Sequence, residues 1–109
     1  MRKRRILLAD NVDDYRRSLR TLLELEDYCV EEAASLAQAP ELLAGQRFDL
    51  ALVDLRLSND DDDYDMSGLE VAKAAVSAQI PSIVVTAYES VDTMRLALRS
   101  RGAEPLAVD

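Results

Sequence analysis

The sequence contains no histidine and only one cysteine, and each shortage removes a class of chemistry. Without histidine there is no histidine-based catalytic triad, no histidine zinc site and no phosphohistidine of the chain's own. A phosphoryl group carried on histidine would have to come from a partner. Cys29 alone makes no internal disulfide, and its place between Tyr28 and Val30 suits a buried strand residue better than a reactive thiol. Long apolar stretches are also missing and mean hydropathy is -0.13, which excludes a membrane span. Positive charge is scarce: 13 basic against 21 acidic residues give a net charge of -8. That balance opposes binding to a polyanion, so no direct nucleic-acid recognition is expected. No linker or internal repeat divides the 109 residues, which read as one domain, 1–109. The opening MRKRR is basic, but Asp10 interrupts the apolar segment Ile6 to Ala9 that follows, so it is no signal peptide. A cytoplasmic address is the expectation.

What is present is organised around FDLALVDLRL, Phe48 to Leu57. Its apolar residues through Val53 show neither helical spacing nor alternation with polar ones, the pattern of a central parallel strand covered on both faces. Asp54 falls where that strand ends. Taken alone, such an Asp reads more readily as a residue that ends a strand and caps a turn.

The remaining elements alternate. RILLA, Arg5 to Ala9, reads as strand one, and Tyr15, Leu19, Leu22 and Leu23 recur at helical spacing from about Asp13 to Glu26, with Arg16, Arg17 and Arg20 on the other side. Asp13 and Asp14 suit the helix start, where carboxylates complement the dipole. Tyr28 to Ala33 is a polar, edge-like second strand. Ser35 to Gly45 has helical composition, but Pro40 predicts a late start or a kink, and Gly45 is a plausible stop. Ser67-Gly68-Leu69-Glu70 is a capping-box pattern announcing a helix with Leu69, Ala72 and Val76 buried. Ile80 to Thr86 reads as strand four, Ser90 as the cap of a helix stopped at Gly102, and Leu106 to Val108 as a short fifth strand.

Strands alternating with helices indicate an α/β fold: a doubly wound parallel five-stranded sheet of flavodoxin-like order 2-1-3-4-5. In that order Asp10 and Asn11, ending strand one, meet Asp54, ending strand three, with Thr86 on its other side. Clustered carboxylates with hard oxygen neighbours, and no histidine or thiolate, select Mg2+ or Mn2+, which normally binds phosphate oxygens too. A carboxylate beside such a cation can attack a phosphoryl group while a nearby hydroxyl bonds a transferred oxygen. Asp54 is the expected nucleophile.

LLADN at 7–11, LVDLRL at 52–57, SGLE at 67–70, VVTAY at 84–88 and RGA at 101–103 together resemble the receiver domains of bacterial two-component response regulators. The resemblance implies phosphorelay signal transduction: a phosphoryl group received on Asp54 from a histidine kinase or phosphotransfer protein. It places the family's acidic pair on Asp10 and Asn11, its switch hydroxyl on Thr86 and a metal-binding main-chain carbonyl on Arg56. The implied metal set is therefore Asp10, Asn11, Asp54 and the Arg56 carbonyl, and the implied role is that of a phosphoprotein rather than an enzyme.

Four positions depart from the family. The second acid of the pair is Asn11, which offers an oxygen without a charge. The loop after Asp54 is longer than usual by about six residues, mostly Asp, and Asp60 to Asp65 reads either as a solvated charge run or as a source of the charge lost at Asn11. That loop has no Gly at the turn position an EF-hand loop needs. Leu106 stands where a switch aromatic is expected. Spacing from Gly102 puts Asp109 where the family has a phosphoryl-contacting Lys, with no final helix after it. These departures keep open a pseudo-receiver, a docking module that is never phosphorylated. Arg56 and Tyr88, flanking the aligned site, read as surface residues or as controls on water access. A hydrolase of the haloacid dehalogenase type would want an Asp at position 56, where Arg stands. In the doubly wound arrangement helix one and the final helix cover one sheet face; a missing final helix would expose Leu7 and alternate residues of strands three and four there, and predicts a homodimer or another protein neighbour on that face.

Overall fold

Apolar runs too short for helices become strands, and the helix-period segments between them return the chain to the same end of one sheet. In the computed structural model, which describes residues 3–59, 62 and 64–85, the order is β1 (Arg5–Ala9), α1 (Asp13–Leu25), β2 (Cys29–Ala33), α2 (Gln38–Gly45), β3 (Leu50–Asp54), α3 (Gly68–Ser77) and β4 (Ser82–Val85). The four strands are all parallel in the order β2-β1-β3-β4, the doubly wound flavodoxin-like arrangement read from the sequence. The expected fifth strand at Leu106, the helix from Ser90 and its stop at Gly102 lie outside the described residues.

Alternation along the strands sorts the core into two halves. Ile6, Leu8, Leu50, Leu52, Ile83 and Val85 pack with Leu19 and Leu23 of α1. Leu7, Ala9, Ala51 and Val53 pack on the opposite face with Ala39 of α2 and with Val71 and Ala75 of α3. Small side chains on that second face let the two helices lie close to the sheet. Pro40 acts as its chemistry requires: α2 starts only at Gln38, which leaves Pro40 inside the first turn, where its missing N–H has no intrahelical partner to lose. Among the described residues no helix is long and apolar enough to cross a membrane.

Several local expectations are corrected. Leu7 is fully buried against α2 and α3, so it belongs to the face opposite α1, and the strand-three and strand-four residues facing α1 are buried as well. The apolar patch expected to drive pairing of two copies is therefore not exposed at those residues. The buried stripe of α3 runs through Gly68, Val71, Ala72 and Ala75, while Val76 is 64% exposed. The capping box does not form: Ser67 Oγ accepts from the Ser58 N–H at 2.9 Å instead of capping the helix. Cys29 is only half-buried.

The largest correction is Arg16, expected on the solvent side of α1 but only 7% exposed. Its Nε donates to Glu32 Oε1 of β2 at 2.8 Å and its Nη2 to Asp13 Oδ1 at 2.8 Å, while Arg20 Nη1 donates to Glu32 Oε2 at 2.6 Å. A buried charge is tolerated only when paired and hydrogen-bonded, and here one carboxylate on the edge strand meets two guanidinium groups on α1. Burial pushes the Glu32 carboxyl up, but hydrogen bonds from Arg20 and Arg16 outweigh it and hold the group below the usual carboxylate range.

A folded-state pKa below the unfolded one means stability that is present above the unfolded value and lost as pH falls through the folded one. Glu32→Gln should therefore lower stability by about 1 to 2 kcal/mol at neutral pH, and the gap to wild type should close as pH falls below about 4. Urea denaturation at neutral and acid pH checks this; a gap independent of pH would show that the Glu32 charge is not what holds β2 to α1.

Candidate functional site

The pairing of β1 with β3 sets Ala9 opposite Val53, so the next residues, Asp10 and Asp54, come level at the carboxyl ends of neighbouring strands about 4.8 Å apart. Period-two alternation puts Asp10 in phase with Ile6 and Leu8, and Asp54 in phase with Leu50 and Leu52. Both carboxylates thus leave the sheet on the α1 side. Both are buried, at 5% and 8% exposure. The ladder continues past them, with the Asp10 N–H donating to the Ala33 carbonyl at 3.0 Å and the Leu55 N–H to the Val85 carbonyl at 2.8 Å. Each acid also accepts from the N–H two residues ahead: Asp10 Oδ1 from Val12 at 2.8 Å, Asp54 Oδ1 from Arg56 at 3.1 Å. These two matching turns fold the chain back at the strand ends and keep Asn11 and the Arg56 main chain there.

Asn11 Oδ1 is buried, and no hydrogen bond reaches it among the described residues. Buried side-chain oxygens are normally partnered, so an oxygen left in this way on the residue next to Asp10 suits a hard cation. The candidate donors are then the Asp10 and Asp54 carboxylates, the Asn11 amide oxygen and the Arg56 carbonyl, all oxygen and without thiolate or imidazole. This donor set fits Mg2+ or Mn2+ by its chemistry. Among the described residues no group of three or more acids, cysteines or histidines could hold a metal ion, and the residue that follows Asp10 is the uncharged Asn11. Thr86 and Tyr88 lie outside the described residues, although Val85, which precedes Thr86 in sequence, pairs with Asp54.

The acidic loop uses its described carboxylates on itself. Asp65 accepts from the Ser67 N–H through Oδ1 at 2.9 Å and from the Asn59 N–H through Oδ2 at 2.6 Å, and Asp62 Oδ1 accepts from the Tyr64 N–H at 2.9 Å. The Ser67 N–H bond leads the causes that hold the Asp65 carboxyl below its usual range. Among the described residues neither acid joins Asp10 and Asp54 in a group of three that could hold a metal ion. Asp60, Asp61 and Asp63 lie outside the described residues.

Two residues at the site were not read from the sequence as site residues. Arg16 Nη1 donates to the Asp10 main-chain carbonyl at 2.8 Å. Its signal was its spacing of three and seven residues from Leu19 and Leu23, the two buried leucines of α1. Gly68 begins α3 with its N–H on the Leu55 carbonyl at 2.9 Å, and a Cβ there would stand 2.0 Å from the Asp54 carbonyl oxygen. The glycine lets the first turn of α3 rest directly on the main chain that carries Asp54.

Comparison with known proteins gives one consistent result. The model of the response regulator receiver domain family matches residues 6–106. The alginate biosynthesis transcriptional regulatory protein AlgB of Pseudomonas putida is 40% identical over 105 residues, covering 94% of this chain and 22% of its own length. This chain therefore spans about a fifth of the curated relatives it matches. Among solved structures, a CheY-like receiver domain protein from Methanospirillum hungatei has a TM-score of 0.70 at 30% identity, covering 99% of this chain and 82% of that one. The response regulator TrrA from Thermotoga maritima, solved in complex with Mg2+-BeF, has a TM-score of 0.67 at 27% identity, covering 97% and 86%.

The close approach at Gly68 has a direct test. Gly68→Ala should destabilise the fold by about 3 kcal/mol, because the added methyl meets main chain that does not yield as a flexible side chain would. Gly45→Ala, at the end of α2 with nothing within 4 Å of the added Cβ, should be neutral or stabilising by up to about 1 kcal/mol. Denaturant midpoints of the two variants check the contrast, and equal effects would mean that α3 does not press on Asp54 in solution.

Proposed function

The chain belongs to the response regulator receiver family, and from that premise we propose that Asp54 accepts a phosphoryl group from the phosphohistidine of a histidine kinase or phosphotransfer protein. The observation that carries this reading is the pair of buried carboxylates, Asp10 and Asp54, level at neighbouring strand ends beside the buried Asn11 oxygen. In the transfer the P–N bond to the donor imidazole breaks as a P–O bond forms to an Asp54 carboxylate oxygen. The Arg56 N–H on Asp54 Oδ1 fixes the rotation of that carboxylate, which limits how a donor can approach it. Thr86 is the hydroxyl assigned to a transferred oxygen. Asp10, Asp54, the Asn11 amide and the Arg56 carbonyl would hold Mg2+ or Mn2+, which when bound would supply charge neutralisation to the transferring group. The solved relative carrying Mg2+-BeF and another carrying a phosphorylated aspartate with calcium support the use of a divalent ion in this fold. The role is that of a regulator switched by its phosphoryl group rather than an enzyme acting on a separate substrate, with the action taken by parts of a longer protein such as the transcriptional regulators it resembles.

A pseudo-receiver that docks to a partner without phosphorylation is the second reading, favoured by the missing third acid among the described residues. Exposure to acetyl phosphate with Mg2+ separates the two. Intact mass should rise by one phosphoryl group in the wild type and not in Asp54→Asn; a wild type that stays unmodified at high donor and metal would establish the pseudo-receiver.

Asn11 gives a second measurement. Asn11→Asp adds a charge at contact distance from the cation, most of whose Coulomb gain is offset by desolvation and by repulsion from Asp10 and Asp54. The expected net gain is about 1 kcal/mol, roughly fivefold in Mg2+ affinity by calorimetric titration. No gain would mean that the lost charge is already supplied from elsewhere in the chain.

A further inference from the structure

Three hydrogen bonds bear on the position of Asp10. Its N–H donates to the Ala33 carbonyl at 3.0 Å, its Oδ1 accepts from the Val12 N–H at 2.8 Å, and its main-chain carbonyl accepts from Arg16 Nη1 at 2.8 Å. The first two partners are main-chain groups, which many sequences could provide. The third is one side chain, and it is buried at 7% exposure with its other nitrogens on Glu32 of β2 and Asp13 of α1. The guanidinium fork therefore joins the edge strand, the first turn of α1 and the end of β1 through three bonds in one plane.

We propose that Arg16 is a positioning residue for the cation and phosphoryl site. The Asp10 carbonyl belongs to the planar peptide unit that also contains the Asn11 N–H. Fixing that oxygen fixes the plane, and with it the directions in which the Asp10 carboxylate and the Asn11 amide leave the chain. These are the two side-chain oxygens that the loop offers to a cation. The effect on cation binding rests on the functional reading above; the effect on the loop does not.

Geometry and charge make opposite predictions for this residue. A positive side chain near a divalent cation repels it, so if charge were its main effect, removing Arg16 would tighten binding. Asp13 and Glu32, both in contact with the guanidinium, already compensate that charge. Loss of the positioning bond should instead weaken binding, by about tenfold, as removal of a partner that orients a metal ligand does elsewhere.

The test uses the full chain and three variants. Arg16→Lys keeps the charge and loses the fork, Arg16→Met loses both, and Glu32→Gln weakens the lock to β2 while leaving the Arg16 bond to Asp10. Amide exchange at Val12, whose N–H caps Asp10 Oδ1, is followed by NMR without metal, and Mg2+ affinity by calorimetry. Both Arg16 variants should exchange faster at Val12 and bind Mg2+ about tenfold more weakly, while Glu32→Gln loses stability but stays near wild type in both readouts. Unchanged or tighter Mg2+ binding in Arg16→Lys overturns the proposal. A wild type that binds no Mg2+ overturns the cation reading instead, and Val12 exchange then decides the positioning role alone: faster exchange in Arg16→Lys upholds it, and unchanged exchange ends it.

Discussion

The register of β1 against β3 is the constraint on which the site depends. Side chains alternate, so a slip of one residue would send Asp10 or Asp54 through the sheet together with every apolar neighbour on its strand. In a half-exposed sheet, polarity alone would forbid the slip. Here both faces are buried, and size must do that work. Ile6, Leu8, Leu50 and Leu52 fill the side toward α1, while the other side carries Ala9 and Ala51 beside Leu7 and Val53, where α2 and α3 pack. A slipped strand would force leucine into the space of alanine on one face and leave voids on the other, each costing about 1 to 3 kcal/mol per site. The placement of two acids is thus enforced by the volumes of the apolar residues that precede them along β1 and β3.

Bringing two buried carboxylates level runs against the rest of the design. Like charges at neighbouring strand ends repel, and burial strips them of water. The structure answers with N–H groups, that of Val12 on Asp10 and that of Arg56 on Asp54 among them, and with a guanidinium on the Asp10 carbonyl. The buried charge of Arg16 is in turn compensated by Glu32 and Asp13. The chain of compensation therefore reaches from the site through α1 to the edge strand, and the polarity of β2 at Glu32 is explained by the site rather than by solvent.

The strands and the level acids were legible because apolar runs and period changes are properties of sequence alone. RILLA became β1 with its predicted bounds, and Asp54 ended β3. The misreadings have separate physical causes. Arg16 reads as a solvent residue because an arginine in a helix is usually outside, and one of the carboxylates that pairs its buried charge is Glu32, sixteen residues away. The stripe of α3 was displaced because Gly68, not Leu69, faces the sheet: the helix had to turn its smallest residue toward the Asp54 main chain. Ser67 failed as a cap because the Ser58 N–H in the loop competes for its oxygen. Leu7 was put on the wrong face because strand parity relative to the helices is fixed only by packing. Each of these is a contact between distant segments, which local pattern does not contain.

Asn11 leaves a charge balance with consequences in two directions. Asp62 and Asp65 use oxygens to hold their own loop, so among the described residues the negative charge at the strand ends comes from Asp10 and Asp54. On the proposed reading, two carboxylates against a divalent cation give a site with no net charge, where a third acid would leave it negative. A third acid would hold the cation more tightly but would also repel an incoming phosphoryl group, which carries negative charge of its own. Asparagine relaxes both effects at once. Its oxygen keeps the coordination chemistry, and its neutrality exchanges cation affinity for a smaller electrostatic barrier to the donor. On that reading Asn11 bears on metal occupancy and on donor approach together.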